Sequence, residues 1–263
     1  MKLNINAIQT NTGIIGYFDV LGYESFLENN SSEDGIKNVL KTISTIDENT
    51  IEDFISAFKS VSIFSDLKRI FVEEFETRIF SDTIIVFARY KENEENELKL
   101  LRWFLFIIFG EMLYSKMFEF GLPVRGAIGF GKYSSVEYCF AGRPIIETYK
   151  QARELDLSAC VFIESAEKEF DSLSPLSSIF ADFFKEILPK YSVPLKNSQT
   201  KNLYTLLKAR TNQNTSLEIK EQVKESFKKH KKSITLREES KITNTTDFFN
   251  FLNLRKQYNQ ING

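Results

Sequence analysis

Two long, mostly apolar runs that each contain one aspartate constrain this chain more than any other feature. Residues 13–23 carry Asp19 and residues 77–87 carry Asp82. A continuous apolar run of this length is typical of a strand covered on both faces, where an isolated carboxylate costs several kcal/mol. We therefore expect the two aspartates to share a positive partner. A divalent metal ion is the simplest partner that serves both.

The order of predicted elements is typical of an α+β protein. The pattern predicts a strand within 13–23, a short helix at 23–29, helices within 31–75, two strands at 78–87 that turn at Ser81 and Asp82, a helix from about Asn93 to Gly121, strands at 124–131 and 138–142, a helix through 145–155 and a strand at 159–163. We expect helices that cover one antiparallel-rich sheet.

The helix predicted after Asn93 is apolar nearly all round. Its predicted stripe is Leu98, Leu101, Leu105, Ile108 and Met112, and Phe104 and Phe106 lie outside that stripe. A helix without a polar face is expected to be buried, either by the sheet or by a second subunit.

The character of the chain changes near residue 211, where a helical extension is predicted. Thr215 and Glu218 have capping-box spacing, and Ile219, Val223 and Phe227 follow at helical intervals. A terminal helix is predicted to begin near Thr246. The extension is expected to pack on the preceding domain or on a partner.

Composition and charge exclude several classes of function. The chain has 263 residues, a formal net charge of −2, two cysteines and one histidine, His230. This charge gives no field for nonspecific nucleic-acid binding, and the cysteine count provides no disulfide scaffold. A single histidine argues against zinc clusters and Ser-His-Asp hydrolysis. The apolar run at 103–109 is too short to span a membrane, and we expect a soluble cytoplasmic protein without a secretory signal.

Four phrases of the sequence occur together in one order. They are Phe-Asp-Val-Leu-Gly-Tyr at 18–23, Phe-Ser-Asp-Thr-Ile at 80–84, Arg-Gly-Ala-Ile-Gly-Phe-Gly at 125–131 and Val-Pro-Leu-Lys at 193–196. Over residues 10 to 208 the chain resembles class III nucleotidyl cyclases. The resemblance implies a ferredoxin-like α+β sandwich, with an N-terminal tail at 1–9, a catalytic domain at 10–210 and a C-terminal helical extension at 211–263.

The resemblance also implies a two-metal site. Asp19, Val20 and Asp82 match its metal-binding positions, with two Mg²⁺ or Mn²⁺ ions activating a ribose 3′-oxygen and neutralising the leaving pyrophosphate. Gly22 and Tyr23 match the turn whose backbone N–H groups meet the phosphates of the nucleoside triphosphate. Lys196 matches the terminal lysine that contacts phosphate. An isolated aspartate after a strand is more often a helix N-cap, so the metal interpretation depends on the pair.

The departures from the family concern the base and the transition-state cation. Arg78 lies where adenylate cyclases have lysine and guanylate cyclases have glutamate, and Cys139 lies at the second base-reading position. Ile146 and Lys150 replace the helix asparagine and arginine, so Lys150 or Arg153 is expected to supply the missing cation. Arginine offers only donors, which suits the paired acceptors of uracil or cytosine, although guanine O6 and N7 suit it too.

With these departures and the four phrases together, the chain is similar to the bacterial Pycsar pyrimidine cyclases. That resemblance implies conversion of UTP or CTP to cyclic UMP or cyclic CMP in a head-to-tail homodimer, as an antiphage signal that acts on a separate effector protein. An adenylate or guanylate cyclase is the first alternative. A catalytically inactive domain that binds a nucleotide or a partner is the second, and Ile146 is the residue that favours it.

Several residues near the motifs have simpler interpretations. Arg125 is expected to form a structural ion pair or to lie at the sheet edge rather than to act in catalysis. Tyr149, at helical spacing from Ile145 and Ala152, is expected in the core. The basic run at 228–232 is predicted to be a solvated helix face, and nothing in the sequence indicates a partner for His230.

Overall fold

A computed structural model gives the fold of the protein and describes residues 8–30, 33–59, 64–136, 139–176, 178–206 and 215–262. The predicted tail at 1–9 lies mostly outside this part of the chain, although the first strand already begins at Gln9.

A six-stranded sheet forms the centre of the molecule. Its strands are β1 (Gln9–Val20), β2 (Phe75–Phe80), β3 (Thr83–Arg89), β4 (Val124–Val136), β5 (Cys139–Ala141) and β6 (Cys160–Phe162). The hydrogen-bonded order is β2-β3-β1-β4-β5, and β6 pairs with β4. Every pairing is antiparallel except that of β4 with β6. A separate hairpin consists of β7 (Lys190–Pro194) and β8 (Thr200–Tyr204).

Helices cover this sheet. They are α1 (Tyr23–Asn29), α2 (Glu33–Ser44), α3 (Ile46–Phe58), α4 (Phe64–Glu74), α5 (Asn96–Phe120), α6 (Arg143–Glu154), α7 (Glu164–Leu173), α8 (Ser178–Ile187), α9 (Ser216–Lys228) and α10 (Leu236–Asn262), with short 3-10 turns at Ser174–Leu176 and Lys229–Lys231. The predicted α+β sandwich with an antiparallel-rich sheet and C-terminal helices is confirmed.

Helix α5 is buried by its own chain, and its predicted stripe was partly wrong. Leu105 is buried, but Leu98 is 42% exposed. The inner face instead presents Leu100, Trp103 and Ile107, and the Trp103 ring packs on rings of β4, β6 and α7. A helix that is apolar all round carries no periodic signal that identifies its inner face. Helix α5 is ended by Gly121, whose left-handed backbone (φ 90°) closes the last turn.

The C-terminal extension packs on the same body. The capping box at Thr215 and Glu218 is present, and Ile219, Val223 and Phe227 are buried as predicted. The predicted start of the last helix near Thr246 was wrong, because α10 begins ten residues earlier, at Leu236. Its first turns are polar and show no apolar stripe, and tertiary hydrogen bonds hold them instead.

The basic run at 228–232 is solvated only in part: Lys228, Lys229 and Lys231 are exposed, but Lys232 is buried. Lys232 is 5% exposed, and its ammonium group donates to the carbonyl oxygens of Gly121 and Ser226 at 2.8 and 3.2 Å. The His230 ring also has a partner, because its Nε2 lies 2.9 Å from the carbonyl oxygen of Phe120. The run ends α9 and attaches it to the end of α5. Among the described helices, none has the length and hydropathy that a membrane span requires.

Candidate active site

The two aspartates of the apolar runs lie at the same end of the sheet. Asp19, near the end of β1, pairs with Thr83, the first residue of β3, and Asp82 occupies the turn just before Thr83. The N–H group of Val20 donates to the Asp82 carbonyl oxygen at 3.0 Å. Ser81, the other turn residue, has a left-handed backbone with φ 55°. The antiparallel pairing of β1 and β3 therefore brings together two carboxylates that are far apart in the sequence.

Arg125 is the cation that compensates Asp19. The two residues face each other across β1 and β4, and Arg125 donates from Nε and Nη2 to Oδ2 of Asp19 at 2.7 and 2.6 Å. Asp19 is 9% exposed. The predicted ion pair of Arg125 is confirmed, and its partner is the first of the two proposed metal ligands.

The negative charge of Asp82 is less fully compensated than that of Asp19. Burial raises the pKa of Asp82 above its ordinary value, and the charge of Asp19 raises it further, while a backbone hydrogen bond and the charges of Arg125 and Arg153 act in the opposite direction. The carboxyl group is thus half-buried beside another carboxylate. Such a pair is stabilised when a cation binds between its members.

The donor set fits a divalent cation. Two carboxylates supply the hard oxygen ligands that Mg²⁺ and Mn²⁺ prefer, and Mg²⁺ commonly takes one or two carboxylates together with substrate phosphates and water. Within the described ranges, no group of three or more His, Cys, Asp or Glu side chains forms a closed metal cage. A metal ion at Asp19 and Asp82 would therefore depend on ligands from a bound substrate.

The last turn of α6 brings positive charge to the same end of the sheet. Its Arg153 carbonyl oxygen accepts a hydrogen bond from Nη1 of Arg125 at 3.3 Å and another from Nζ of Lys196. The Arg153 guanidinium group donates to the Tyr149 hydroxyl at 2.9 Å, and that hydrogen bond, with a smaller contribution from the charge of Asp19, raises the pKa of Arg153. Arg125, Arg153 and Lys196 are thus connected through one carbonyl group.

Arg153 and Lys196 border an open groove. Its volume is about 390 Å³, and it is lined by Tyr149, Lys150, Arg153, Glu154, Lys196 and Asn197. The pKa of Lys196 is lowered to about 8, first by burial and then by the neighbouring cations Arg125, Arg237, Lys241 and Arg153. Positive charge therefore exceeds negative charge around the Lys196 ammonium group, and an anionic ligand would relieve the repulsion.

Tyr149 belongs to the groove rather than to the core, so its predicted burial was wrong. The side chain is 40% exposed and its ring meets the Tyr17 ring edge-on at 5.6 Å. Helical spacing groups Tyr149 with Ile145 and Ala152, which are buried. The Tyr149 hydroxyl instead accepts a hydrogen bond from Arg153 in the groove.

Gly22 and Tyr23 connect the first aspartate to helix α1. Gly22 has a left-handed backbone (φ 76°) and immediately precedes α1. Tyr23 is 7% exposed, and burial followed by the charge of Asp82 raises the pKa of its phenol, while a hydrogen bond with Ser81 lowers it. Tyr23 therefore packs against the turn that carries Asp82.

The structure does not bring the two predicted base-reading residues to the aspartate pair within one chain. Arg78 lies on β2, two strands away from β1, and forms an ion pair with Glu76. Cys139 is exposed and pairs with Val136, at the end of β4 opposite Arg125. Tyr138, its neighbour, lies outside the described residues.

Sequence reasoning missed the link between Arg125 and the aspartates. Arg125 opens a glycine-rich strand, and only the register of β1 against β4 places it opposite Asp19. The available signal was that two apolar strands carry opposite charges near their ends, Asp19 on β1 and Arg125 on β4.

Comparisons with known proteins gave structural matches alone. No family model and no curated protein matches the chain. The adenylyl cyclase CyaB from P. aeruginosa is similar at 11% identity and a TM-score of 0.39, over 78% of this chain and 97% of that one. A bacterial light-regulated adenylyl cyclase is similar at 12% identity and a TM-score of 0.41, over 83% and 99% of the two chains.

Two further solved structures are similar at the same level. The catalytic core of a rhodopsin-guanylyl cyclase in complex with ATPalphaS shares 9% identity over 76% of this chain and 97% of that one, with a TM-score of 0.43. A class III adenylyl cyclase-like ATP-binding protein from Pseudomonas aeruginosa shares 15% identity over 64% of this chain and 37% of that one, with a TM-score of 0.35. At these values the assignment of function depends on the residues of this chain.

Proposed function

We propose that the chain is a nucleotidyl cyclase that converts a nucleoside triphosphate to a 3′,5′-cyclic nucleotide and pyrophosphate. The observation that carries the proposal is the close pair of partly buried carboxylates, Asp19 and Asp82, beside a groove lined by cations. The pair fits metal ions and the groove fits phosphates. A cyclase needs both next to each other.

The reaction joins the ribose 3′-oxygen to the α-phosphorus, breaks the bond from that phosphorus to the pyrophosphate oxygen, and releases the hydroxyl proton. When bound, two divalent ions supply the acidity that activates the hydroxyl and the charge that neutralises the leaving group. Asp19 and Asp82 would hold those ions, with Val20 keeping Asp82 in place through its hydrogen bond to the Asp82 carbonyl oxygen.

The cations of the groove would bind the phosphates. A metal ion held by Asp19 would compete with Arg125 for the carboxylate oxygen that Arg125 contacts. Arg125 would then be available to a phosphate. Arg153, Lys150 and Lys196 line the groove. Arg153 or Lys150 would supply the transition-state cation, and Lys196 would contact the leaving pyrophosphate.

We further propose that the substrate is UTP or CTP, and that the product is an antiphage signal read by a separate effector protein. Arg78 supports the pyrimidine choice, because a donor-only side chain matches the carbonyl acceptors of uracil and cytosine. The order of the four sequence phrases supports the Pycsar branch. Adenylate or guanylate cyclase activity remains the first alternative.

A head-to-tail homodimer would complete this site. Arg153 and Lys196 already lie near the aspartates in one chain, so these cations do not require a second copy. Arg78 and Cys139 would have to come from a second copy, because they lie on other parts of the sheet. Two apolar side chains are exposed, Phe80 at 81% beside the Asp82 turn and Ile146 at 55% in the first turn of α6, and both are consistent with a covering partner.

A nucleotide-binding domain without turnover is the second candidate. It is favoured by Ile146 in place of the family's helix asparagine, and by Arg125, which occupies the carboxylate oxygen that a metal ion would need. The purified protein should be incubated with each of the four NTPs plus Mn²⁺, and the products identified by mass. Cyclic nucleotide and pyrophosphate support the cyclase, whereas binding without product supports this second candidate.

A further inference from the structure

The first turns of α10 are fastened to the loop that follows α6. Ser240 donates to the Asp156 carboxylate at 2.5 Å, and the Asn244 amide donates to the same carboxylate and to the Asp156 carbonyl oxygen at 3.0 and 2.9 Å. One residue further along α10, the Thr245 hydroxyl accepts from the Ser158 N–H group at 2.8 Å. The start of α10 therefore has a fixed position relative to the end of α6.

The same loop holds Lys196. The Lys196 N–H group donates to the carbonyl oxygen of Glu154 at 2.9 Å, and the Asp156 N–H group donates to the carbonyl oxygen of Pro194 at 3.1 Å. Asp156 thus contacts the Lys196 segment on one side and α10 on the other. Through this shared loop the extension is brought beside the cationic groove.

Arg237 and Lys241, one turn apart on α10, add positive charge there. Both are among the charges that lower the pKa of Lys196, after burial and Arg125. Lys241 is 5% exposed and forms an ion pair with Glu238 at 3.0 Å, so its charge is compensated locally. Arg237 is exposed, and among the described residues it forms no ion pair.

We propose that Arg237 binds the pyrophosphate portion of a nucleoside triphosphate together with Lys196. This inference rests on the proposed function, and it assigns the C-terminal extension a substrate-binding role. Guanidinium groups match phosphate oxygens through paired N–H donors, and the β- and γ-phosphates carry most of the charge of the substrate. A triphosphate beside Lys196 would supply the negative charge that this group of cations lacks.

The proposal predicts that Arg237 contributes to affinity for pyrophosphate whether or not the protein turns over a nucleotide. Binding of inorganic pyrophosphate and of UTP, UDP and UMP should be titrated by calorimetry with the full chain in Mn²⁺. Arg237→Ala should weaken pyrophosphate and UTP binding by about tenfold and leave UMP binding unchanged, as expected for the loss of one charged hydrogen-bonding group.

Two control variants sharpen the test. Arg237→Lys keeps the charge and should retain most of the affinity, whereas Lys220→Ala removes an exposed cation of α9 from the same extension and should have no effect. Circular dichroism of all three variants establishes that the fold is intact.

The outcomes separate this inference from the proposed function. If no NTP yields a cyclic product but Arg237→Ala still weakens pyrophosphate binding, the cyclase proposal fails and the role of Arg237 stands. If Arg237→Ala binds pyrophosphate and UTP as the wild type does, or if the wild type binds neither, the role of Arg237 is wrong.

Discussion

The guanidinium group of Arg125 makes two contacts, at 2.7 and 2.6 Å, with one carboxylate oxygen of Asp19, a residue 106 positions earlier in the chain. This ion pair lies at the sheet end where Asp82 is also half-buried. Among the described residues Asp82 has no ion pair of its own, and its pKa is raised. Without a metal ion, the negative charge of Asp19 is therefore compensated by Arg125, whereas that of Asp82 is not compensated by an ion pair within the part of the chain that the structure describes.

Removing Arg125 should make the protein depend more on metal ions. Arg125→Ala eliminates the cation that competes for Asp19 and leaves two uncompensated carboxylates close together. We expect lower thermal stability without metal, by about 1–3 kcal/mol, and a larger stabilisation by Mn²⁺ than in the wild type. Thermal unfolding with increasing Mn²⁺ and no nucleotide measures both effects.

Arg143→Ala is the matched control for that experiment, because this exposed arginine of α6 forms its ion pair with Glu147 one turn away rather than with either aspartate. Its response to Mn²⁺ should equal that of the wild type. If Arg125→Ala showed an unchanged or smaller response to Mn²⁺, then Arg125 would not compete for a metal ligand.

The two aspartates should respond differently to neutralisation. Asp19→Asn deprives Arg125 of its charged partner and should destabilise the metal-free protein by about 1–3 kcal/mol. Asp82→Asn removes a carboxylate that another carboxylate repels, so stability should be unchanged or rise by up to about 1 kcal/mol. Urea unfolding in the presence of a chelator measures the difference, and equal losses for both variants would contradict the electrostatic description.

Much of the fold follows from the sequence, and the missing parts have identifiable causes. The apolar runs around Asp19 and Asp82, the turn at Ser81 and the stop at Gly121 all depend on local chemistry, and local patterns predict them. The early start of α10 at Leu236 has one local signal, the capping-box spacing of Thr235 and Glu238, whose side chains are hydrogen-bonded. The contacts of its polar first turns with Asp156 have no local signal. Long-range contacts therefore mark the limit of the prediction.

The same limit applies to the site. Motif order identified both aspartates and Lys196, and the absence of the motif cation led to Lys150 and Arg153. The structure places the aspartates at one end of the sheet and the three cations in the adjoining groove. The ion pair of Arg125 with Asp19 requires the register of two strands, and the nearness of the Arg237 charge to Lys196 requires the docking of α10. Neither of these long-range arrangements is marked by a characteristic residue spacing in the sequence.

Arg78 should govern the choice of base. We predict that the wild type prefers UTP or CTP over ATP and GTP, and that Arg78→Ala reduces this preference by about 1–3 kcal/mol while leaving the dependence on Mn²⁺ unchanged. Initial rates with all four NTPs in competition give the preference. Equal wild-type rates on the four NTPs, or an ATP preference that Arg78→Ala does not change, would refute the base assignment.

Mixing variants shows whether Arg78 acts from a second chain. With Asp82→Asn in large excess over Arg78→Ala, nearly every Arg78→Ala chain is paired with an Asp82→Asn chain. If the site is shared between chains, the remaining activity combines intact Asp82 with intact Arg78 and shows wild-type base preference. The relaxed preference of Arg78→Ala alone would instead place the complete site within one chain.

Lys232 should give the protein a measurable dependence of stability on pH. Burial lowers the pKa of Lys232 from 10.5 to about 7, so between these values the unfolded chain holds more protons than the folded one. Stability should therefore rise with pH from about 7 toward 10, by at most about 1.4 kcal/mol per pH unit from this group. Below pH 7 the full cost of burying the charge is present.

Lys232→Met should remove this slope. The titratable residues near Lys232 include His230 and Lys229. Burial lowers the pKa of His230 below 6.5, which is outside the measured pH range. Subtracting the variant's unfolding free energy from that of the wild type at pH 7, 8 and 9.5 cancels the groups common to both. An identical slope in the two proteins would show that Lys232 is not buried as a neutral amine.

The most direct test of the central claim is the product formed from an equimolar mixture of the four NTPs with Mn²⁺, compared between the wild type and Asp82→Asn. The wild type should form cyclic UMP or cyclic CMP with one pyrophosphate per cyclic nucleotide, and Asp82→Asn, although folded, should form no more than buffer alone. Absence of any cyclic nucleotide from the wild type, or equal formation by Asp82→Asn, would contradict a metal-dependent cyclase built on Asp19 and Asp82.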